Sequence, residues 1–243
     1  MKKVLLYSGG MDSWLMSKLW NPDIKLYVDM KTKYSENEIK KIKESGEDVT
    51  IVELPIGQWE RDNAIIPLRN MYLAMVACNI TEDEDVEILI GATAGDRVLD
   101  KSPQFCAKAN ALLNYLYLPQ WWLPEGKKVK INVQYKQYSK SDLLNMYVEQ
   151  GGDLEEAFKA TFSCYEPTKS GKECWSCKPC FRKFVAFEKV GYKFPKKVLN
   201  SVIPYINENI VPEIEAGTYG RGKTEEEDIM NVMEKYSYIL EEK

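Results

Sequence analysis

A short apolar run, Val4-Leu5-Leu6-Tyr7, breaks into Ser8-Gly9-Gly10-Met11-Asp12-Ser13 and then into a segment that places Leu15, Met16 and Leu19 at helical spacing. A strand turning this tightly into a helix aims the first N–H groups of that helix back at the strand's end. The two glycines let backbone N–H groups approach an anion closely, and the serines add hydroxyl donors. These are the parts of a phosphate-binding turn. No Gly-Lys-Ser/Thr follows, which excludes the Walker A arrangement. The plainer alternative is a strand-to-helix turn capped by Ser8 or Asp12.

Outward from this turn, apolar β-type runs alternate with helix-period segments through the first 150 or so residues, the pattern of βαβ units on a parallel sheet. Val4–Tyr7, Ile24–Val28, Val49–Leu54, Val86–Ile90 and Val129–Val133 are expected as strands. A helix is expected after Pro67, with Leu68, Met71, Tyr72, Met75, Val76 and Asn79 on one face. Ser139 with Asp142 forms a capping-box start to another, which carries Leu143, Leu144, Tyr147 and Val148 and stops at Gly151. From Phe158 the character changes to a cysteine cluster and a Pro- and Gly-containing stretch. Thr224 with Glu227 is then expected to open a last helix. The expected division is 1–155, a nucleotide-binding α/β domain, and 156–243, a metal-binding segment with a helical C-terminal region.

The chain has 243 residues, 33 Lys+Arg against 37 Asp+Glu, and a formal charge of −4. That balance argues against broad nucleic-acid binding, which needs clustered positive charge. No apolar run approaches the roughly 20 residues that span a bilayer, and Met1-Lys2-Lys3 leads straight into a strand-like run, so a cytosolic location is expected. The absence of histidine removes Ser-His-Asp and Cys-His catalysis, His-ligated metals and the side chain that titrates near neutrality.

Of six cysteines, Cys164, Cys174, Cys177 and Cys180 are separated by nine, two and two residues. Two consecutive C-x-x-C steps supply the short turns that let thiolates share one tetrahedral ion. Zinc is the first assignment; an iron–sulfur cluster and a catalytic disulfide stay open beside it. With four protein ligands a zinc ion would be structural. Cys78 and Cys106 are expected to be buried thiols.

Ser-Gly-Gly-x-Asp-Ser directly after the first strand resembles the PP-loop of ATP pyrophosphatases. The likeness extends through Pro67-x-Arg69-Asn70, Gly91 through Asp96, Asp100 with Phe105, Ser139-Lys140-Ser141-Asp142, and Thr161-x-Ser163-Cys164-Tyr165 leading to Cys174, Cys177, Cys180 and Arg182. In that order these motifs resemble the 7-cyano-7-deazaguanine synthase family, over nearly all of residues 3–192. The resemblance implies a Rossmann-like parallel sheet of the adenine nucleotide alpha hydrolase type, with a four-cysteine zinc insertion.

It also implies an ATP-dependent carbon–nitrogen ligase of queuosine-type biosynthesis, which adenylates the carboxylate of 7-carboxy-7-deazaguanine, admits ammonia and dehydrates the amide to a nitrile. Ser8, Gly9, Gly10 and Ser13 would hold the pyrophosphate part of ATP, and Asp12 a Mg²⁺ ion. Arg69, Asn70, Asp96 and Asp100 would face the substrate, with Asp12, Arg69, Asp96 and Asp100 closest to the chemistry. A homodimer is compatible with this reading.

The chain departs from the family's pattern at Asp29-Met30-Lys31-Thr32-Lys33-Tyr34, where a Gly-Gln-x-His-type turn is usual, in a shortened stretch after Asp96, and at Ser102, where a basic residue is typical. These positions lie on the acceptor side. The alternatives are therefore a PP-loop ligase adenylating another deazapurine, another amine or a protein terminus, a PP-loop tRNA-modifying enzyme, and a non-enzymatic zinc-ribbon module. Trp121-Trp122 is expected to pack under a loop, and Tyr219–Lys223 to be a solvated linker or a basic loop that closes over an anion.

Overall fold

The structure is a computed structural model that describes residues 1–63, 65–164, 167–168 and 170–241. Tyr165, part of the cysteine-flanking motif, lies outside the described residues. The chain forms two compact units, one of residues 1–92 and 96–137 and one of residues 93–95 and 138–243. The boundary expected at 155/156 falls inside the second unit, because the helix opened by Ser139 packs on the helix that follows the cysteines.

The first unit runs β1 (Lys2–Leu6), α1 (Met11–Trp20), β2 (Ile24–Asp29), α2 (Ser35–Ser45), β3 (Thr50–Glu53), α3 (Arg69–Ile80), β4 (Val86–Leu89), α4 (Pro103–Leu116) and β5 (Val129–Asn132). Five strands in the order β3-β2-β1-β4-β5 make one sheet, every neighbouring pair parallel. Val4 in the middle strand stands opposite Ile24 on one side and Ile88 on the other. A parallel sheet covered on both faces demands continuous apolar strands, and Val4, Leu5, Val86, Ile88 and Leu89 are fully buried. All five expected strands form, each within a residue or two of its expected ends.

Helix α3 differs from its expectation. Pro67 precedes the helix rather than opening it: Leu68 adopts φ +61° and the helix starts at Arg69. Its buried face is Asn70, Ala74, Ala77 and Cys78, while Leu68 is exposed and Met71, Met75 and Val76 only flank the core. Small side chains let a helix sit close to a sheet, so the bulkier residues are displaced to its flanks. Cys78 and Cys106 are buried thiols, as expected.

The second unit contains α5 (Lys140–Glu149), α6 (Leu154–Ala160), α7 (Lys178–Lys189), α8 (Lys196–Asn209), α9 (Val211–Glu215), α10 (Lys223–Lys235) and α11 (Tyr238–Glu241). Ser139 and Asp142 close the expected capping box. Helix α7 buries Phe181, Phe184 and Phe187, and packs against α5, α8 and α10. Helix α10 begins at Lys223 behind Gly222 (φ +106°), so Thr224 sits inside the first turn instead of capping it. Tyr219 and Arg221 are both bonded to Glu225, which makes the expected linker a pinned loop. No helix of the described residues is long and apolar enough to cross a membrane.

Candidate functional site

Strand order reverses between β1 and β4, and in open α/β sheets ligands gather outside the carboxyl ends of the strands at such a reversal. The Ser8–Ser13 turn leaves the sheet there. Gly9 takes φ +71°, a region L side chains avoid, and a Cβ on it would lie 3.1 Å from Ile42 Cγ1. The turn closes on itself through serine hydroxyls. Ser8 N donates to Ser13 Oγ at 3.2 Å, and Ser13 Oγ donates to the Gly10 carbonyl at 3.1 Å. Gly10 caps α1 by backbone position without a side-chain bond, so neither Ser8 nor Asp12 acts as its cap.

Beside the turn lies a cleft of about 260 Å³, built entirely within the first unit. Ser8, Asp12, Ser13, Arg69 and Asn70, five of the residues singled out in the sequence, line it. Gly9 and Gly10 shape the turn at its edge. Asp96 and Asp100 lie outside the lining and act on it through other residues. Asp96 accepts from Lys101 Nζ at 3.2 Å, and Lys101 lines the cleft. Asp100 Oδ2 accepts from the Asn70 backbone N–H at 3.2 Å, which supplies the first turn of α3 with the carboxylate its own cap position lacks.

Two further lining residues carry no sequence motif. Glu38, on α2, accepts from the Tyr27 hydroxyl at 2.8 Å. Burial raises its pKa above the usual glutamate value, with Asp29 adding to the rise, while the Tyr27 bond and the Arg69 charge pull against it. Along the sequence Glu38 belongs to Ser-Glu-Asn-Glu-Ile-Lys-Lys, a charged helix with the composition of a solvated surface, and only the packing of α2 brings it inward. Lys101 directly precedes Ser102, the position noted as lacking its basic residue. Ser102 instead caps α4, accepting from Phe105 N at 3.1 Å.

Met30, in the loop after β2, also lines the cleft, and the loop after β3 packs on that loop through Gly57 N, which donates to the Met30 carbonyl at 2.6 Å. Asp29, buried at the end of β2, receives Lys31 N and Lys31 Nζ at 2.9 and 2.7 Å. Burial alone would raise its pKa; the Lys31 bonds outweigh burial and hold the carboxyl below its ordinary value. Gly57 lies so close to this loop that a Cβ would stand 2.4 Å from the Lys31 carbonyl oxygen.

In the second unit Cys164, Cys174, Cys177 and Cys180 bring their sulfurs within 4.8 Å of one another. Tetrahedral thiolates about 2.3 Å from a zinc ion stand about 3.8 Å apart, and Cys174 and Cys180 are at 4.0 Å, so the set fits one ion. Backbone N–H groups already point at the sulfurs: Cys174 N to Cys164 Sγ at 3.3 Å and Ser176 N to Cys174 Sγ at 3.4 Å. Trp175 adopts φ +59° between the two, and its ring stacks on Phe158. Hydrogen bonding to Cys177 and burial both push the Cys180 thiol up, as befits sulfurs that need a shared cation before they ionise together. Lys183 is buried below, donating to the Phe158 and Thr161 carbonyls and to Glu173.

A parallel sheet with a serine–glycine turn at its reversal point in the first unit, and in the second a thiolate cluster able to hold one ion, define an α/β protein of the PP-loop type. A family profile described as queuosine biosynthesis protein QueC matches residues 39–191. The chain belongs to the QueC family. It is 24% identical over 226 residues to the 7-cyano-7-deazaguanine synthase of Marinomonas sp. (strain MWYL1), covering 80% of this chain and 96% of that protein. The 7-cyano-7-deazaguanine synthase of Pseudoalteromonas translucida is 24% identical over 219 residues, covering 77% and 94%. That of Rickettsia massiliae is 27% identical over 135 residues, covering 54% and 56%.

Proposed function

We propose that this chain is an ATP-dependent ligase converting 7-carboxy-7-deazaguanine and ammonia to 7-cyano-7-deazaguanine. The observation that carries the proposal is the Ser8–Ser13 turn at the sheet's reversal point, opening onto a cleft that holds Arg69, Lys101 and Asp12. The substrate carboxylate attacks the α phosphorus of ATP and pyrophosphate leaves. Ammonia adds to the acyl adenylate, AMP leaves with one carboxylate oxygen, and a proton is released. The amide oxygen attacks the α phosphorus of a second ATP and pyrophosphate leaves; loss of both N–H protons and of AMP, now carrying the second oxygen, leaves the nitrile.

No step needs a neutral-range acid or base from the protein, which suits a chain without histidine. The residues position reactants and stabilise charge. Ser8, Gly9, Gly10 and Ser13 hold pyrophosphate; Asp12 would hold Mg²⁺, which offsets phosphate charge; Arg69 pairs with the acid or a phosphate. Asp96 and Asp100 act as positioning residues for Lys101 and Asn70. The four cysteines hold a structural zinc ion, and the enzyme works in the cytosol.

The test is pyrophosphate release with ATP, ammonium and the acid, using an acid labelled with ¹⁸O in its carboxylate. Two labelled AMP per nitrile are expected. Pyrophosphate release only with another acceptor would overturn the named substrate, and a single AMP with an amide product would overturn the nitrile step.

A further inference from the structure

The cleft holds a polar pair that phosphate binding and adenylation leave unused. Asn70 is 3% exposed, and its side-chain Nδ2 is buried with no hydrogen-bond partner among the described residues. A buried N–H left unsatisfied costs free energy that an apolar side chain at the same place would avoid, and a ligand group or water reaching Nδ2 would relieve that cost. Glu38 lines the same cleft and its described hydrogen bond, from Tyr27, falls on Oε2 alone. Val28, Met30 and Leu73 line it too, supplying apolar surface of the kind a flat ring needs.

We infer that Glu38 and Asn70 read the edge of a guanine-type base, the carboxylate accepting from a ring N–H and the adjacent exocyclic amine, the amide N–H donating to the neighbouring carbonyl. A carboxylate presents two acceptors side by side, and a guanine-type edge presents two donors in matching positions. An adenine edge offers one donor and leaves the second acceptor unmatched. The match also leaves the far, five-membered side of a deazaguanine ring, where the acid is attached, directed away from Glu38. This inference rests on the reading of a deazaguanine acid as the acceptor, and it assigns the specificity for that acceptor to α2 and α3.

Calorimetric titration with the acid, with its analogue lacking the exocyclic amine, with 7-deazaguanine itself and with α,β-methylene ATP tests it. In the wild-type protein, loss of the amine should weaken binding about 10- to 100-fold. In E38Q, the amine-bearing and amine-free ligands should bind within about twofold of each other, and N70A should weaken both equally. The ATP analogue should bind both variants as it binds wild type. Because the comparison is between ligands on one protein, a modest loss of stability in either variant does not blur it. Weakened ATP-analogue binding in E38Q with unchanged acid binding would overturn the inference and give Glu38 to the nucleotide; unchanged binding of every ligand would also overturn it. Should 7-deazaguanine respond to E38Q while the acid supports no pyrophosphate release, the edge reading stands and the named reaction falls.

Discussion

Gly9 shows how one residue can commit a turn. With φ at +71° and Ile42 Cγ1 waiting 3.1 Å from any Cβ, Gly9→Ala should cost about 1–2 kcal/mol in denaturant unfolding, through strained backbone and a displaced Ile42. An unchanged midpoint would mean that the turn relaxes. Asp12→Ala should abolish pyrophosphate release while bound zinc, measured by atomic absorption, stays at the wild-type level.

Asp29 provides a pH test. Its folded pKa is depressed, so its contribution to stability is present above the unfolded aspartate value near ~3.9 and is lost as pH falls below it. The stability gap between wild type and Asp29→Asn, from melts at several pH values, should therefore be widest near neutrality and shrink through the acid range below about 4. Glu38 and Lys101 were not legible in the sequence, because a glutamate on a charged helix and a lysine in a turn have the composition of solvent-facing groups until tertiary packing brings them to the cleft.

Elements were legible where a local pattern dictates them. Strands β1, β2, β4 and β5 are short apolar runs bounded by turn residues, and the Ser139/Asp142 box opens α5 as its spacing requires. The buried face of α3 was not, since apolar spacing ranks bulk while the sheet selects small residues. The C-terminal end of that helix is held by a buried ammonium: Lys127 Nζ donates to Cys78 O at 2.6 Å, to Thr81 Oγ1 at 2.8 Å and to Glu82 O. Lys127→Met leaves those acceptors without their donor and should destabilise the protein by about 2–3 kcal/mol in urea titrations. The cysteine ladder was legible from spacing alone. Cys177→Ser should lower zinc content and melting temperature together, and full metal stoichiometry in that variant would remove Cys177 from the ligand set.

At the scale of the whole chain, alternation of strands and helices pointed to the parallel sheet, but strand order is a tertiary fact that no run of residues encodes. The same limit applied to the surface. Trp121 is 92% exposed and stands with exposed Tyr115, Leu116 and Leu118, whereas a pair of tryptophans between prolines had suggested packing under a loop. The order β3-β2-β1-β4-β5 has a consequence for synthesis. The middle strand leaves the ribosome ahead of both its neighbours, and one flank stays bare until Val86–Leu89 has emerged. During that interval Val4, Leu5 and Leu6 are an open template for any passing strand, so a nascent chain stalled before β4 should be a strong client for chaperones that hold extended apolar segments.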